Sequence, residues 1–139
     1  MSTVLIIEDN VNDLMWYRPL FSLGLDINFL FYNKDENYTK EDFIELTETL
    51  YEDLFRQIKK KFFCTKENIE SFLKDNLFDF YIIDSLKGAA ELIVLNLNLP
   101  KEKVAFFSST SSLREIMKSH GYRAYKKNEI ENLIKDCIL

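Results

Sequence analysis

The sequence is poor in residues that interrupt regular structure and in residues that bind transition metals. Its 139 residues include only three glycines and two prolines, which argues against a loop-rich all-β fold. The two cysteines, Cys64 and Cys137, lack metal-ligand spacing, and we expect both to be reduced packing residues. The one histidine, His120, has no cysteine or acid at ligand spacing, so we expect it on the surface near a helix end.

The chain also lacks long apolar runs and an excess of basic residues. No apolar stretch approaches the roughly 20 residues that span a bilayer, and no basic segment with a cleavage site precedes the first apolar run. We therefore expect no membrane span and a cytoplasmic location. The net charge is −5, and the densest basic run, residues 59–61, is short. Because nucleic-acid binders depend on a basic face, we expect no nucleic-acid partner.

Hydrophobic residues make up 47% of the chain, enough for the core of one domain over residues 1–139. Short, continuous apolar runs alternate with segments of helical periodicity. The predicted strands cover residues 4–7, 27–32, 80–83, 104–107 and 122–125. Continuous apolar runs favour strands that are covered on both faces, and the alternation predicts an α/β chain with a parallel sheet between helices.

One segment, residues 33–63, is longer than this alternation needs. A polar turn over 33–38 precedes Thr39 and Asp42, which are spaced as in a capping box. Apolar residues then recur at helical spacing and predict one extra helix over about 39–63. They are Phe43, Leu46, Leu50, Leu54, Ile58 and Phe62. We expect this helix at the sheet edge that carries the second strand, either as a structural cap or as a surface for a partner or dimer.

Polar residues directly follow four of the predicted strands. They are Glu8 and Asp9 after the first, Asp84 after the third, Ser108 and Ser109 after the fourth, and Lys126 and Lys127 after the fifth. Because ligand sites of such sheets lie at the carboxyl ends of the strands, we expect these side chains to converge. Three clustered carboxylates repel one another without a cation, and their oxygens suit Mg²⁺. An aspartate beside Mg²⁺ and a lysine can accept a phosphoryl group.

In their order and positions, these motifs resemble the receiver domains of response regulators in two-component signalling. The sequence VLIIEDN at 4–10 resembles the opening of that family, and FDFYIID at 78–84 resembles its strand ending at the phosphorylated aspartate. VAFFSS at 104–109 resembles the strand that ends in the family's serine or threonine. The apolar residues that follow fit Lys126 better than Lys127 as the family's lysine. The resemblance covers nearly the whole chain outside residues 33–63.

The resemblance implies a flavodoxin-like, doubly wound sheet of five parallel strands in the order 2-1-3-4-5. The implied Mg²⁺ ligands are Glu8, Asp9, Asp84 and the carbonyl of Leu86. The implied phosphoryl-transfer residues are Asp84 as acceptor, Ser108 as sensor and Lys126 as the paired cation. By this resemblance the chain is a phosphoacceptor and no enzyme beyond its own phosphorylation and dephosphorylation.

The implied partners are a sensor histidine kinase or phosphotransfer protein and an unknown downstream protein. A homodimer through the last helices is a further arrangement that the resemblance allows. No output domain follows the last helix, so we expect the domain to act through another protein or to belong to a longer one.

The chain departs from the family pattern at several positions. The loop 85–88 is short and lacks the usual proline, no proline follows the lysine, and Arg123 occupies the aromatic switch position. These departures leave an alternative, a degenerate interaction module that works without phosphorylation. A Mg²⁺-dependent phosphatase is a third hypothesis, but Leu86 stands where that chemistry favours a second acid.

Overall fold

A parallel β-sheet between two layers of helices forms the protein. The structure, a computed structural model, describes residues 2–34 and 38–139, and of Lys87 only the backbone. The strands in these ranges are β1 (Thr3–Glu8), β2 (Asp26–Asn33), β3 (Lys60–Thr65), β4 (Phe80–Ile83), β5 (Val104–Phe107) and β6 (Arg123–Tyr125). The longer helices are a 3₁₀ helix (Val11–Ser22), α1 (Lys40–Gln57), α2 (Ile69–Asp75), α3 (Ala89–Leu97), α4 (Ser111–Ser119) and α5 (Ile130–Cys137).

Six parallel strands make up the sheet within the described ranges, in the order β3-β2-β1-β4-β5-β6. The predicted α/β class with a parallel sheet is confirmed, but the prediction of five strands in the order 2-1-3-4-5 is wrong. The five predicted strands do occur in that relative order, and β3 is added beside β2, paired from Asn28↔Lys60 to Asn33↔Thr65. The extra strand was missed because Phe62 continued the helical spacing of the preceding segment.

The inserted segment is a helix followed by a strand, so the predicted single helix over 39–63 is wrong in its last part. The capping box at the start of α1 is present: the Asp42 N–H donates to Thr39 Oγ1 (3.1 Å) and the Thr39 N–H to Asp42 Oδ2 (3.0 Å). Non-helical angles at Tyr51 (φ −139°, ψ 50°) interrupt α1, which ends at Gln57. Part of the predicted turn, residues 35–37, lies outside the described residues.

The apolar side of α1 is used within the chain, in line with the structural-cap interpretation. Phe43 is buried and stacks on Phe29 and Phe31 of β2, with ring centroids 5.8 and 4.4 Å apart. The Tyr51 hydroxyl donates to the Asn12 carbonyl (2.9 Å) and ties the helix to the 3₁₀ helix. Thus α1 covers one face of β2, whereas β3 covers its hydrogen-bonding edge.

The sheet has an apolar core on each face, as the continuous apolar runs predict. In β1, Val4 and Ile6 belong to the core on the side of the 3₁₀ helix, α1 and α5, and Leu5 and Ile7 belong to the core on the other side. Side chains along a strand alternate between faces, so a strand covered on both sides must be apolar at every position.

The remaining sequence predictions can be checked at single residues. Cys64 is buried, Cys137 is partly buried, and both are free thiols, as predicted. Burial raises the pKa of Cys64 to about 11. His120 is exposed at the C-terminal end of α4, also as predicted. Among the described residues, no helix has both the length and the apolar character needed to cross a membrane.

Candidate functional site

The carboxyl ends of β1 and β4 bring three carboxylates together. These strands are neighbours, and their pairing runs to Ile7↔Ile83, so the residues that follow each of them lie side by side. Glu8, Asp9 and Asp84 each offer a carboxylate oxygen within 4.8 Å of the other two. The sheet thus assembles the acidic cluster that the sequence predicts, from positions more than 70 residues apart in the chain.

Glu8 is fully buried, and only one of its oxygens is hydrogen-bonded. Oε1 accepts from Lys127 Nζ at 2.7 Å, whereas Oε2 is the one buried side-chain oxygen or nitrogen without a hydrogen-bond partner in the described ranges. Burial raises the pKa of Glu8 well above its usual value; Lys127 opposes this effect and the Asp84 carboxylate adds to it. A buried acceptor without a donor costs about 1–3 kcal/mol, so Oε2 is a candidate ligand atom for a cation.

Lys127, not Lys126, is the lysine at this site. Its Nζ lies 2.7 Å from Glu8 Oε1 and 3.1 Å from Asp84 Oδ1, and its side chain is 8% exposed. Asp13 Oδ2 lies 3.6 Å from the same nitrogen. The structure therefore brings Lys127, and not the predicted Lys126, to the acidic cluster.

The alternation of an extended chain explains the choice between the two lysines. Tyr125, the last residue of β6, packs in the core on the side of the 3₁₀ helix. Lys126 continues in an extended conformation (φ −73°, ψ 157°) and is exposed. Lys127, two residues after Tyr125, therefore returns to the same side, where Glu8 and Asp84 lie.

Two aromatic residues hold the Lys127 side chain in place. The ammonium donates to the Tyr17 hydroxyl at 3.3 Å and lies 5.2 Å from the ring centroid of Tyr17 and 5.1 Å from that of Phe107. Burial alone lowers the pKa of Lys127, but the charges of Glu8 and Asp84 raise it, and the net direction is upward. Sequence reasoning missed Tyr17, because nothing in the sequence marks its hydroxyl as part of the site.

A tight loop encloses Asp84, which is 6% exposed. Its Oδ2 accepts the Leu86 N–H at 3.1 Å. Leu86 has φ 51°, a left-handed conformation that costs a residue with a side chain about 1–2 kcal/mol. The loop therefore binds Asp84 through the Leu86 amide, and the role of the Leu86 carbonyl as a metal contact stays a prediction.

Ser108 directly follows β5 at the same end of the sheet and is 1% exposed. Its hydroxyl accepts the Thr110 N–H at 3.0 Å, and its carbonyl accepts from Arg114 Nη1 at 2.8 Å. Its own N–H donates to the Tyr125 carbonyl at 2.9 Å. The residue is thus fixed between β6 and α4, and its role as a phosphoryl sensor stays a prediction.

Asp9 has a partner from the end of β2 that sequence reasoning missed. Lys34 Nζ lies 2.5 Å from Asp9 Oδ2, with the Asp9 side chain only 6% exposed. Burial raises the pKa of Asp9, and the Lys34 hydrogen bond works in the opposite direction.

The donor set fits a hard divalent cation. Four carboxyl groups face two ammonium groups, so acidic groups outnumber basic ones by two. The carboxylates are Glu8, Asp9, Asp13 and Asp84, and the ammonium groups are Lys34 and Lys127. Carboxylate oxygens without nitrogen or sulfur ligands favour Mg²⁺ over transition metals. The unpartnered Glu8 Oε2 fits such an ion as well.

This arrangement combines a buried aspartate, neighbouring acidic groups that could hold a cation, and a fixed ammonium group at one edge of a sheet. Asp84 contacts the ammonium of Lys127, so negative charge that develops near Asp84 meets a positive charge already in place. The sequence matches no protein-family model and no curated protein.

Proposed function

We propose that this chain is a cytoplasmic receiver domain of flavodoxin-like topology, in which Asp84 accepts a phosphoryl group with the help of Mg²⁺. One observation carries the proposal: Asp84 shares a cluster with Glu8 and Asp9 in which the ligand oxygens lie within 4.8 Å of one another, and Lys127 Nζ lies 3.1 Å from Asp84 Oδ1. Nucleophile, cation ligands and charge partner are therefore within reach of one phosphoryl group.

The chemistry is an in-line transfer to a carboxylate. An oxygen of Asp84 attacks the phosphorus, the bond from phosphorus to the donor breaks, and its electron pair leaves with the donor. Lys127 neutralises charge on the phosphoryl oxygens, and its own position is held by Tyr17 and Phe107. Glu8, Asp9 and Asp84 would hold Mg²⁺, which would supply further neutralisation of negative charge.

The output is a changed interaction surface. The phosphoryl group adds nearly two negative charges beside Asp84. A Ser108 hydroxyl that turns toward these charges must release the Thr110 N–H that it now accepts (3.0 Å). Because Arg114 of α4 holds the Ser108 carbonyl (2.8 Å), that movement reaches α4. A sensor histidine kinase or phosphotransfer protein would supply the phosphoryl group, and a downstream protein would bind the changed surface.

One observation favours an alternative, an interaction module that works without phosphorylation. Both oxygens of Asp84 are engaged, Oδ1 by Lys127 at 3.1 Å and Oδ2 by the Leu86 N–H at 3.1 Å, and the residue is 6% exposed. A donor must displace one of these contacts to reach the carboxylate.

Intact-protein mass after incubation with acetyl phosphate and Mg²⁺ separates the two. We expect the wild type to gain the mass of one phosphoryl group and Asp84→Asn to gain none. The matched control is Asp75→Asn, an exposed aspartate at the end of α2, which should be labelled like the wild type. No gain in the folded wild type, under conditions that label another phosphoacceptor, contradicts phosphorylation and favours the interaction module.

A further inference from the structure

The acidic cluster contains a second lysine contact besides Lys127, between Lys34 and Asp9. The two charged atoms lie 2.5 Å apart, with the Lys34 side chain 33% exposed and the Asp9 side chain 6% exposed. Asp9 is one of the three residues whose carboxylate oxygens form the candidate cation site. An ammonium group therefore already contacts the carboxylate of one of the three candidate ligand residues.

The inserted segment explains why Lys34 reaches this position. The pairing of β1 with β2 ends at Glu8↔Phe31. Strand β2 nevertheless continues to Asn33, because β3 pairs with it as far as Asn33↔Thr65. The extra strand thus extends β2 beyond the end of β1, and Lys34 follows directly, beside the Asp9 that follows β1.

The two lysines of the cluster differ in how firmly they are held. The Lys127 side chain is 8% exposed, contacts Glu8 and Asp84, and lies against the rings of Tyr17 and Phe107. The Lys34 side chain is one-third exposed, so its ammonium can move into water while the chain stays folded. Lys127 is a fixed part of the site, whereas Lys34 is displaceable.

We propose that Lys34 is a built-in counter-ion that competes with a divalent cation for Asp9 and thereby lowers the cation affinity of the site. This inference rests on the proposed function, because it concerns the same cation site. Glu8 Oε2, buried and without a hydrogen-bond partner in the described part of the chain, points to a cation independently of Lys34. An ammonium and a divalent cation on one carboxylate repel each other, so Lys34 leaves Asp9 as the cation binds.

The test is a calorimetric titration of the full chain with Mg²⁺ alone. We expect Lys34→Met to bind Mg²⁺ about tenfold more tightly than the wild type, a size set by one positive charge at a partly screened site. Lys34→Arg keeps the charge and should bind like the wild type. As the matched control, Lys59→Met removes a lysine paired with Asp26 (3.1 Å) at the opposite end of β2, and we expect less than about a twofold change because salt screens distant charges.

The possible outcomes separate the role of Lys34 from the existence of the cation site. Equal or weaker binding by Lys34→Met, with measurable binding by the wild type, overturns the role of Lys34 and leaves the cation site standing. If Lys34→Met and Lys59→Met increase the Mg²⁺ affinity equally, the role of Lys34 is also overturned, because the total charge of the protein would then explain the change. If Lys34→Met binds Mg²⁺ and the wild type does not, the proposed role of Lys34 is supported most strongly. Binding by no variant overturns the cation site and this inference together.

Thermal unfolding provides a second measurement for the case in which the heat of binding is small or a variant is misfolded. Mg²⁺ should raise the thermal unfolding midpoint of Lys34→Met more than that of the wild type, since tighter binding to the folded state stabilises it more. Lys34→Gln, which keeps a polar side chain, should behave like Lys34→Met. A smaller rise in both variants contradicts the proposal. Neither readout depends on phosphorylation, so a failure of Asp84 to be labelled leaves this test unaffected.

Discussion

The two ends of the sheet both carry pairs of an acid and a lysine, in opposite surroundings. At the amino end, Lys59 and Asp26 lie 3.1 Å apart with side chains 58% and 21% exposed. At the carboxyl end, Lys127 and Glu8 lie 2.7 Å apart with side chains 8% and 0% exposed. Water screens the first pair, which contributes about 0–1 kcal/mol, whereas the second has lost its water and depends on its partners.

The pKa values of the acids at the two ends are shifted in opposite directions. Asp79, at the amino end, accepts the Thr3 N–H at 2.8 Å, and this backbone bond together with the Thr3 side chain lowers its pKa. Burial raises the pKa of Glu8 and of Asp9 at the carboxyl end. Hydrogen bonds thus dominate the pKa of the acid at the amino end, whereas burial dominates the pKa values of Glu8 and Asp9 at the carboxyl end. The proposed cation site rests on this burial of neighbouring acids at the carboxyl end.

The largest expected effect comes from removing Lys127. Lys127→Met leaves Glu8 and Asp84 buried without their common partner, and we expect the free energy of unfolding to fall by about 3–5 kcal/mol in the absence of divalent cations. The matched change at the other end, Lys59→Met, should cost about 0–1 kcal/mol. Urea denaturation of both variants measures the difference, and similar losses would remove the contrast between the two ends.

The next effect is a pH dependence that Glu8 contributes. Its pKa is raised in the folded state, so between the unfolded and folded pKa values the folded chain binds more protons. The stability that Glu8 contributes is therefore full below the unfolded pKa and falls as the pH rises, by at most about 1.4 kcal/mol per pH unit. In the presence of a chelator, we expect the wild type to lose stability relative to Glu8→Gln as the pH rises above the unfolded pKa of Glu8.

The amino end provides the opposite sign for comparison. The lowered pKa of Asp79 gives a contribution that is present above the unfolded pKa and is lost as the pH falls through the folded one. Urea denaturation at several pH values, with Asp79→Asn beside Glu8→Gln, checks both directions. A Glu8 contribution that stays constant or rises with pH would mean that the carboxyl end behaves like the amino end.

The smallest expected effect comes from the Tyr17 hydroxyl. Tyr17→Phe keeps the ring beside Lys127 but removes the oxygen that accepts from its ammonium at 3.3 Å, and we expect a loss of about 1 kcal/mol. Tyr51→Phe, which removes a hydroxyl bonded to the Asn12 carbonyl (2.9 Å) at a more exposed position, should cost less in the same urea measurement. An equal or smaller loss for Tyr17→Phe would show that Lys127 is positioned without its hydroxyl.

Much of the fold follows from local sequence patterns. The apolar runs of β1 and β4 predict strands buried on both faces, and the acids that end them predict a cluster at the carboxyl edge. The capping box at Thr39 predicts the start of α1 to the residue. These predictions succeed because each depends on a few adjacent residues and on the fixed geometry of a parallel sheet.

Other features of the site depend on contacts between distant parts of the chain. The apolar residues that follow favour Lys126 over Lys127, but the deciding factor is which side chain faces Glu8 and Asp84 once β6 ends at Tyr125. Strand β3 was missed because Phe62 fits both a helical spacing and a strand, and only the open edge of β2 selects the strand.

By itself, the sequence determined the α/β class and the meeting of Glu8, Asp9 and Asp84, because periodicity and strand direction are local properties. The relative order of five strands was implied by the resemblance to receiver domains and not by these local patterns. The tertiary structure alone decided that Lys127 is buried among these acids and that Lys34 lies on Asp9. Such pairings depend on how far neighbouring strands extend past one another and on which side chains lose contact with water, and both are properties of the assembled sheet.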